Sequence, residues 1–179
     1  MRHLNIHNMH ERHLALTPSV AGSYQEAAAV CLSRHHTPPT DLELSDNGES
    51  SPATVDWITP DGRVRAAWAN DSDATEAGAY GCVIAAVEDQ RGLFAVRRAE
   101  TASGADYYVG PFGSGESDLE DCIRLEVSGV DRGDHREVAR RVLQKIQQAR
   151  EGRSSLPAVA GVMGFAARLL VLRDVTEMP

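Results

Sequence analysis

Lysine is almost absent from this chain: of its 18 basic residues, only Lys145 is a lysine and the others are arginines. Arginine-rich usage of this kind is what codon bias in a GC-rich genome produces. Aspartate and glutamate number 26, so the formal net charge is −8. This balance argues against a protein covered in basic residues for nonspecific nucleic-acid binding, although it leaves room for a local basic stripe.

Long apolar runs are also missing. No stretch approaches the roughly 18 apolar residues that a membrane-spanning helix needs, so we expect no membrane association. The segment from Met1 to His13 alternates polar and apolar residues and lacks the pattern of a signal peptide. We therefore expect a soluble protein located in the cytoplasm.

Residues that bind transition metals are few or poorly placed. The three cysteines are widely spaced among apolar neighbours, a pattern that predicts buried free thiols rather than disulfides or a zinc site: Cys31, Cys82 and Cys122. Four histidines have spacings that suit one helical face: His3, His7, His10 and His13. Their segment has an extended pattern and no cysteine or clustered carboxylate beside them, so a metal site there is not expected. The chain also lacks the motifs G-x-S-x-G, P-loop and G-x-G-x-x-G.

Residues 1–70 predict a helix and a small antiparallel sheet. Residues 3–16 have an extended pattern, and Thr17-Pro18 is typical of a helix start, which predicts a helix to about Arg34. Strands are predicted over residues 41–45 and 53–58, with a polar loop over 46–52 between them. The turn signal Pro60-Asp61-Gly62 favours a hairpin in the sequence VDWITPDGRVRAAWA. We interpret these residues as an elaboration of the domain that follows.

Residues 71–179 predict the main core. Asp73 and Glu76 have the spacing of a capping box, which predicts a helix that ends at Gly92. Three strands are predicted next, over residues 93–96, 106–109 and 122–127. Asp134 and Glu137 repeat the capping-box spacing and predict a long helix to about Glu151, closed by Gly152. Two apolar strands, 158–165 and 168–175, complete the order of helix, three strands, helix, two strands.

Three acidic residues occupy informative positions in this order. Asp106 begins one strand, Glu126 lies inside the next strand, and Glu76 lies in the first turn of the preceding predicted helix. Neighbouring strands bring Asp106 and Glu126 together if the register permits. Carboxylates clustered in this way suit Mg²⁺, which binds oxygen ligands and leaves positions for water and phosphate.

This arrangement resembles the PD-(D/E)XK nuclease superfamily over about residues 73–175. The resemblance is carried by a helical glutamate, the sequence Gly-Ala-Asp at a strand start, a glutamate in the next strand and a following helix. It implies an α/β fold with an αβββαβ restriction-endonuclease-like core, in which helices flank a mixed central sheet. By this resemblance Asp106 and Glu126 are the catalytic metal ligands and Glu76 is an auxiliary ligand.

The chain departs from the superfamily where the motif has a lysine. Residue 128 is a serine, Ser128. Some members supply the positive charge from the following helix, and Lys145 lies on that predicted helix. We therefore interpret Lys145 as the catalytic cation. The resemblance implies hydrolysis of nucleic-acid phosphodiesters with Mg²⁺ or Mn²⁺, of DNA more than of RNA, in restriction, repair or phage defence.

The second long helix is locally basic. Arg136 and Arg140 are four residues apart and share a face, while Val138, Val142 and Ile146, together with Leu143, are expected to face the core. We interpret Arg136 and Arg140 as phosphate contacts.

Each of these residues also has a structural explanation. Glu76 is explained by a capping box, Asp106 by a turn, and Glu126 by an ion pair with Arg124 on the same face of its strand. Lys145 and the arginines are explained by a solvated helix surface. Two other functions stay open: a catalytically inactive nuclease-like fold that binds a protein partner or forms a homodimer, and a small-ligand binder with a pocket between the N-terminal sheet and the core.

Overall fold

The computed structural model describes residues 2–176 as a mixed α/β fold with four α-helices and one eight-stranded sheet. The helices are α1 (Pro18–Ser33), α2 (Gly62–Ala67), α3 (Asp71–Arg91) and α4 (His135–Glu151). The strands are β1 (Arg2–Leu4), β2 (Thr40–Asp46), β3 (Glu49–Val55), β4 (Phe94–Arg98), β5 (Tyr107–Gly110), β6 (Ile123–Val130), β7 (Ala158–Gly164) and β8 (Leu169–Val175). None of the described helices is long and apolar enough to cross a membrane.

Strands from both halves of the chain form one sheet in the order β1-β3-β2-β8-β7-β6-β5-β4. Strands β4, β5 and β6 form an antiparallel meander, and β7 lies parallel to β6. Strand β8 is antiparallel to β7 and parallel to β2, which joins the N-terminal strands to the rest of the sheet. The predicted order of helix, three strands, helix and two strands is confirmed.

Helices α3 and α4 cover opposite faces of β6. Gly129 faces α3, whereas the side chain of the neighbouring Ser128 contacts Arg141 of α4. Successive residues of a strand point to opposite sides of a sheet, so one strand organises both layers. Helix α3 has buried residues along most of its length and also packs on α1.

Side-chain caps account for the helix starts. Thr17 accepts a hydrogen bond from the Val20 N–H, and Asp134 accepts from the N–H groups of Arg136 and Glu137, as the sequence predicted. The predicted capping box of Asp73 and Glu76 is wrong. The Asn70 side chain accepts from the N–H groups of Ser72 and Asp73, so α3 begins three residues earlier and Glu76 lies within it.

The predicted hairpin around Pro60-Asp61-Gly62 is also wrong. Asp61 accepts a hydrogen bond from the Val64 N–H and caps α2, so this turn signal begins a helix. The hairpin is formed earlier, by β2 and β3, through Asn47 and Gly48, which both have positive φ values. The predicted polar loop over 46–52 is therefore a two-residue turn.

The cysteine prediction is confirmed, since Cys31, Cys82 and Cys122 are buried and free. The extended pattern of residues 3–16 is only partly right. Strand β1 ends at Leu4, and Met9–Glu11 forms a short 3-10 helix.

Replacing Gly129 with alanine should destabilise the fold, because the added Cβ atom would lie 2.7 Å from the Thr75 carbonyl oxygen. Overpacking of this kind costs about 1–3 kcal/mol of unfolding free energy. Gly22→Ala is the control: a Cβ atom there meets nothing within 4 Å, and alanine favours the interior of α1 by about 0.5–1 kcal/mol. In urea denaturation the free energy of unfolding should fall for Gly129→Ala and rise for Gly22→Ala. Equal changes in the two variants would contradict the close packing of α3 on β6.

Candidate functional site

Asp106 directly precedes β5, and Glu126 lies on the neighbouring strand β6. Tyr107, the first residue of β5, pairs with Leu125, the residue before Glu126. The Asp106 N–H also donates to the Leu125 carbonyl at 2.8 Å, so Asp106 and Tyr107 both lie against Leu125. The predicted strand start at Asp106 is one residue early, because β5 begins at Tyr107.

Glu126 is buried on the α4 face of β6 and is neutralised by the chain's single lysine. The Lys145 Nζ atom donates to Glu126 Oε1 at 2.8 Å, and the two side chains are 17% and 10% exposed. Lys145 therefore reaches the strand from α4. Arg124 does not pair with Glu126, because its guanidinium donates to the carbonyls of Leu156, Ser103 and Ala149.

Burial raises the pKa of Glu126 above its usual range. The hydrogen bond from Lys145 opposes this effect and the nearby Asp106 carboxylate adds to it. Burial thus favours the protonated form of Glu126, whereas the Lys145 ammonium favours the ionised form.

Three polar residues on one face of β6 each bind α4, and we call these contacts the β6–α4 polar ladder. Its three rungs are Arg124 to the Ala149 carbonyl at 2.8 Å, Glu126 to Lys145 at 2.8 Å, and Ser128 to Arg141 at 3.1 Å. Two residues of a strand rise about 6.6 Å and four residues of a helix rise about 6 Å, so the two spacings match. The ladder aligns α4 antiparallel to β6.

Both oxygens of Asp106 accept hydrogen bonds. Oδ1 accepts from the Tyr80 hydroxyl at 2.8 Å, and Oδ2 accepts from the Val127 N–H at 2.7 Å. The Arg98 guanidinium lies 3.8 Å from Oδ1. Asp106 therefore holds the edge of the β5–β6 ladder and is also in contact with the aromatic cluster beside it.

That cluster contains three of the chain's four tyrosines and was not predicted from the sequence. The rings of Tyr24 and Tyr80 stack, Tyr80 meets Tyr107 edge to face, and the hydroxyls of Tyr24 and Tyr107 lie 2.6 Å apart. Arg98 lies over Tyr80 and Tyr107, 4.6 and 4.8 Å from their centroids. The chain has only 5% aromatic residues, and the three tyrosines come from α1, α3 and β5, so no local signal joined them.

An open cleft of about 550 Å³ lies between α3, the end of β6 and α4; Lys145 lines it, whereas Asp106 and Glu126 are not among its lining residues. Its walls include Glu76, Ser128, Arg141 and Lys145. Glu76 is exposed, and its carboxylate lies 3.4 Å from the Tyr80 hydroxyl, at the far limit of a hydrogen bond. Glu76, the predicted auxiliary ligand, therefore lies on a wall of the cleft and makes no hydrogen bond with Glu126.

The predicted phosphate contacts, Arg136 and Arg140, lie outside this cleft. Both are exposed, and Arg140 pairs with Glu137 of its own helix at 2.7 Å. The core-facing side of α4 carries Val138, Val142 and the partly buried Ile146.

The prediction that Leu143 faces the core is wrong, because Leu143 is 68% exposed. It lies one residue beyond the buried Val142, and α4 turns it away from the sheet. The α4 arginine that lines the cleft is Arg141, which was not predicted from the sequence. Its four-residue spacing from Lys145 was the available signal.

Oxygen donors suited to a hard cation come from Asp106 and Glu126 in this region. Among residues 2–176, no three His, Cys, Asp or Glu side chains are grouped as a metal site. Of the N-terminal histidines, His13 is buried, with Nδ1 accepting from the Ala95 N–H and Nε2 hydrogen-bonded to Glu88.

No protein-family model, no curated protein and no solved structure matches this chain. The site is thus interpreted from its own residues.

Replacing Lys145 with methionine should raise the pKa of Glu126 further, because burial then acts without the ammonium that opposes it. The folded state would then bind the Glu126 proton more tightly than the unfolded chain. The stability of the variant should accordingly fall as the pH rises through that pKa. Carbon-13 NMR titration of the Glu126 carboxyl measures the change directly.

Arg140→Met is the matched variant, since Arg140 contacts Glu137 on the outer side of the same helix. It should leave the Glu126 titration in place. A Glu126 pKa that is unchanged in Lys145→Met would show that the pair does not control this carboxyl.

Proposed function

We propose that this protein hydrolyses nucleic-acid phosphodiesters with the help of a divalent metal ion. The observation that carries the proposal is the 2.8 Å contact of Lys145 with Glu126, on the strand whose Val127 N–H binds the Asp106 carboxylate. Two acids and one lysine are the set that the PD-(D/E)XK resemblance requires. Here residue 128 is a serine, and the lysine comes from α4.

The order of the elements supports the same proposal. Helix α3, strands β4, β5 and β6, helix α4 and strand β7 follow each other as in an αβββαβ core. The three-stranded meander and the parallel fourth strand form a mixed sheet with a helix on each face of β6. Fold and function are separate questions, so this order adds weight only together with the site.

In this proposal Asp106 and Glu126 hold Mg²⁺ or Mn²⁺. The bound ion would polarise a phosphoryl oxygen and lower the pKa of an attacking water. Lys145 opposes the effect of burial on the pKa of Glu126 and so favours its ionised form, and the Lys145 ammonium is available to stabilise negative charge that develops at phosphorus. Glu76, on the opposite wall of the cleft, is an auxiliary ligand.

The second candidate is a catalytically inactive nuclease-like fold that binds a protein partner. It is favoured by the hydrogen bonds to both oxygens of Asp106, from Tyr80 and from the Val127 N–H. A carboxylate that caps a strand ladder in this way has a structural role without a metal. The acidic net charge of −8 favours the same candidate.

The proposal is tested by nuclease assays on single- and double-stranded DNA and RNA with Mg²⁺ or Mn²⁺. Glu126→Gln removes a metal ligand, and Lys145→Ala removes the cation. Each should lower the rate of cleavage by about 100-fold or more, as loss of one charge-stabilising group does in other enzymes. Glu43→Gln is the control, because Glu43 is an exposed residue of β2 that contacts Ser50.

Loss of cleavage in Glu126→Gln alone would retain the metal site and remove Lys145 from catalysis. Absence of cleavage by the folded wild-type protein on every substrate would exclude the enzyme and leave the protein-binding candidate. Circular dichroism of each variant separates loss of activity from loss of fold.

A further inference from the structure

The charged side chains on the walls of the cleft are mostly paired with each other. Arg132 lies near Asp71 and Asp131, and Asp131 also binds Arg34 and His35. Outside this group, Glu137 pairs with Arg140 and Lys145 pairs with Glu126. These contacts neutralise most of the charge that surrounds the cleft.

Arg141 is different. In the part of the chain that the structure describes, no carboxylate lies within ion-pair distance of its guanidinium, which donates to the neutral Ser128 hydroxyl at 3.1 Å. A guanidinium has five N–H donors in a planar fork, so this single bond leaves most of them available. That fork fits two oxygens of a phosphate group.

The position of Arg141 gives it access to a ligand. It is exposed, it lines the cleft, and it lies one helical turn from Lys145 on the same side of α4. Ser128 holds the guanidinium at the end of β6, two residues from Glu126. Ser128 is the residue at the position where the superfamily motif has a lysine, so the serine leaves room for an arginine from α4.

We propose that Arg141, oriented by Ser128, binds a phosphate of the nucleic acid beside the Glu126–Lys145 pair. The identity of the ligand rests on the proposed function, whereas the anion site rests on the unpaired guanidinium in the cleft. The proposal places the phosphate contact on the inner side of α4 and not on Arg136 and Arg140.

The test measures binding of a fluorescein-labelled 20-nucleotide DNA, single-stranded and duplex, in EDTA so that no cleavage occurs. Arg141→Gln should weaken binding about tenfold, as loss of one charge-assisted contact does. The salt dependence of its affinity should also become shallower by about 0.7 to 0.9 in log–log slope. Arg141→Lys should retain part of the affinity, and Ser128→Ala should give a smaller loss than Arg141→Gln.

Arg63→Gln is the matched control, because Arg63 is an exposed residue of α2 and the substitution changes the net charge equally. Arg140→Gln compares the outer side of the same helix. Inorganic phosphate as a competitor distinguishes an isolated phosphate site from one that needs the polynucleotide. If millimolar phosphate displaces DNA from the wild type but not from Arg141→Gln, the phosphate site at Arg141 is supported.

Equal losses in Arg141→Gln and Arg63→Gln, or a larger loss in Arg140→Gln, would overturn the inference, and so would absence of DNA binding by the wild type. Binding that depends on Arg141 without any metal-dependent cleavage would retain the phosphate site and reject the nuclease. Metal-dependent cleavage by the wild type, together with unchanged DNA binding by Arg141→Gln, would retain the nuclease and reject the phosphate site.

Discussion

The Glu126 carboxylate lies on a strand that has a neighbouring strand at each edge and a helix on each face. A buried charge in such a place is costly unless it is paired, and Lys145 provides the partner from α4. The same helix binds the residues two positions before and two positions after Glu126, through Ala149 and Arg141. Because two residues of strand match four residues of helix in length, one register satisfies all three contacts. This ladder, together with the apolar packing of Val138 and Val142 on β7 and β8, positions α4 and with it the cleft.

The opposite face of β6 follows a different physical rule. There the residues are apolar, and Gly129 allows the Thr75 backbone of α3 to approach closely. Strand β6 thus packs on α3 through apolar contacts and on α4 through side-chain hydrogen bonds. The polar side also carries the candidate chemistry, since the cleft opens where the ladder ends, at Ser128 and Arg141. The candidate site thus combines strand β6, which has a helix on each face, with a cleft wall that is open to solvent.

Local signals in the sequence were sufficient for most elements. The caps at Thr17 and Asp134 and the apolar strands near the C-terminus depend on neighbouring residues, and they formed as predicted. The errors arose where two local signals competed. Asn70 begins α3 ahead of the acidic pair at Asp73 and Glu76, and Asp61 caps a helix where a turn was predicted. Asx side chains serve both as turn residues and as helix caps, so their spacing alone does not decide between them.

The sequence by itself determined the order of elements in the core, the three acidic candidates and the single lysine that α4 carries. Tertiary structure decided which of them meet. The pairing of β5 with β6 placed Asp106 against Leu125, the neighbour of Glu126, and the position of α4 on the sheet brought Lys145 to Glu126 and turned Arg140 away. It also gathered three tyrosines around Arg98 from three separate elements. The physical reason is that strand register and helix rotation are set by contacts between residues far apart in the chain, which no local pattern encodes.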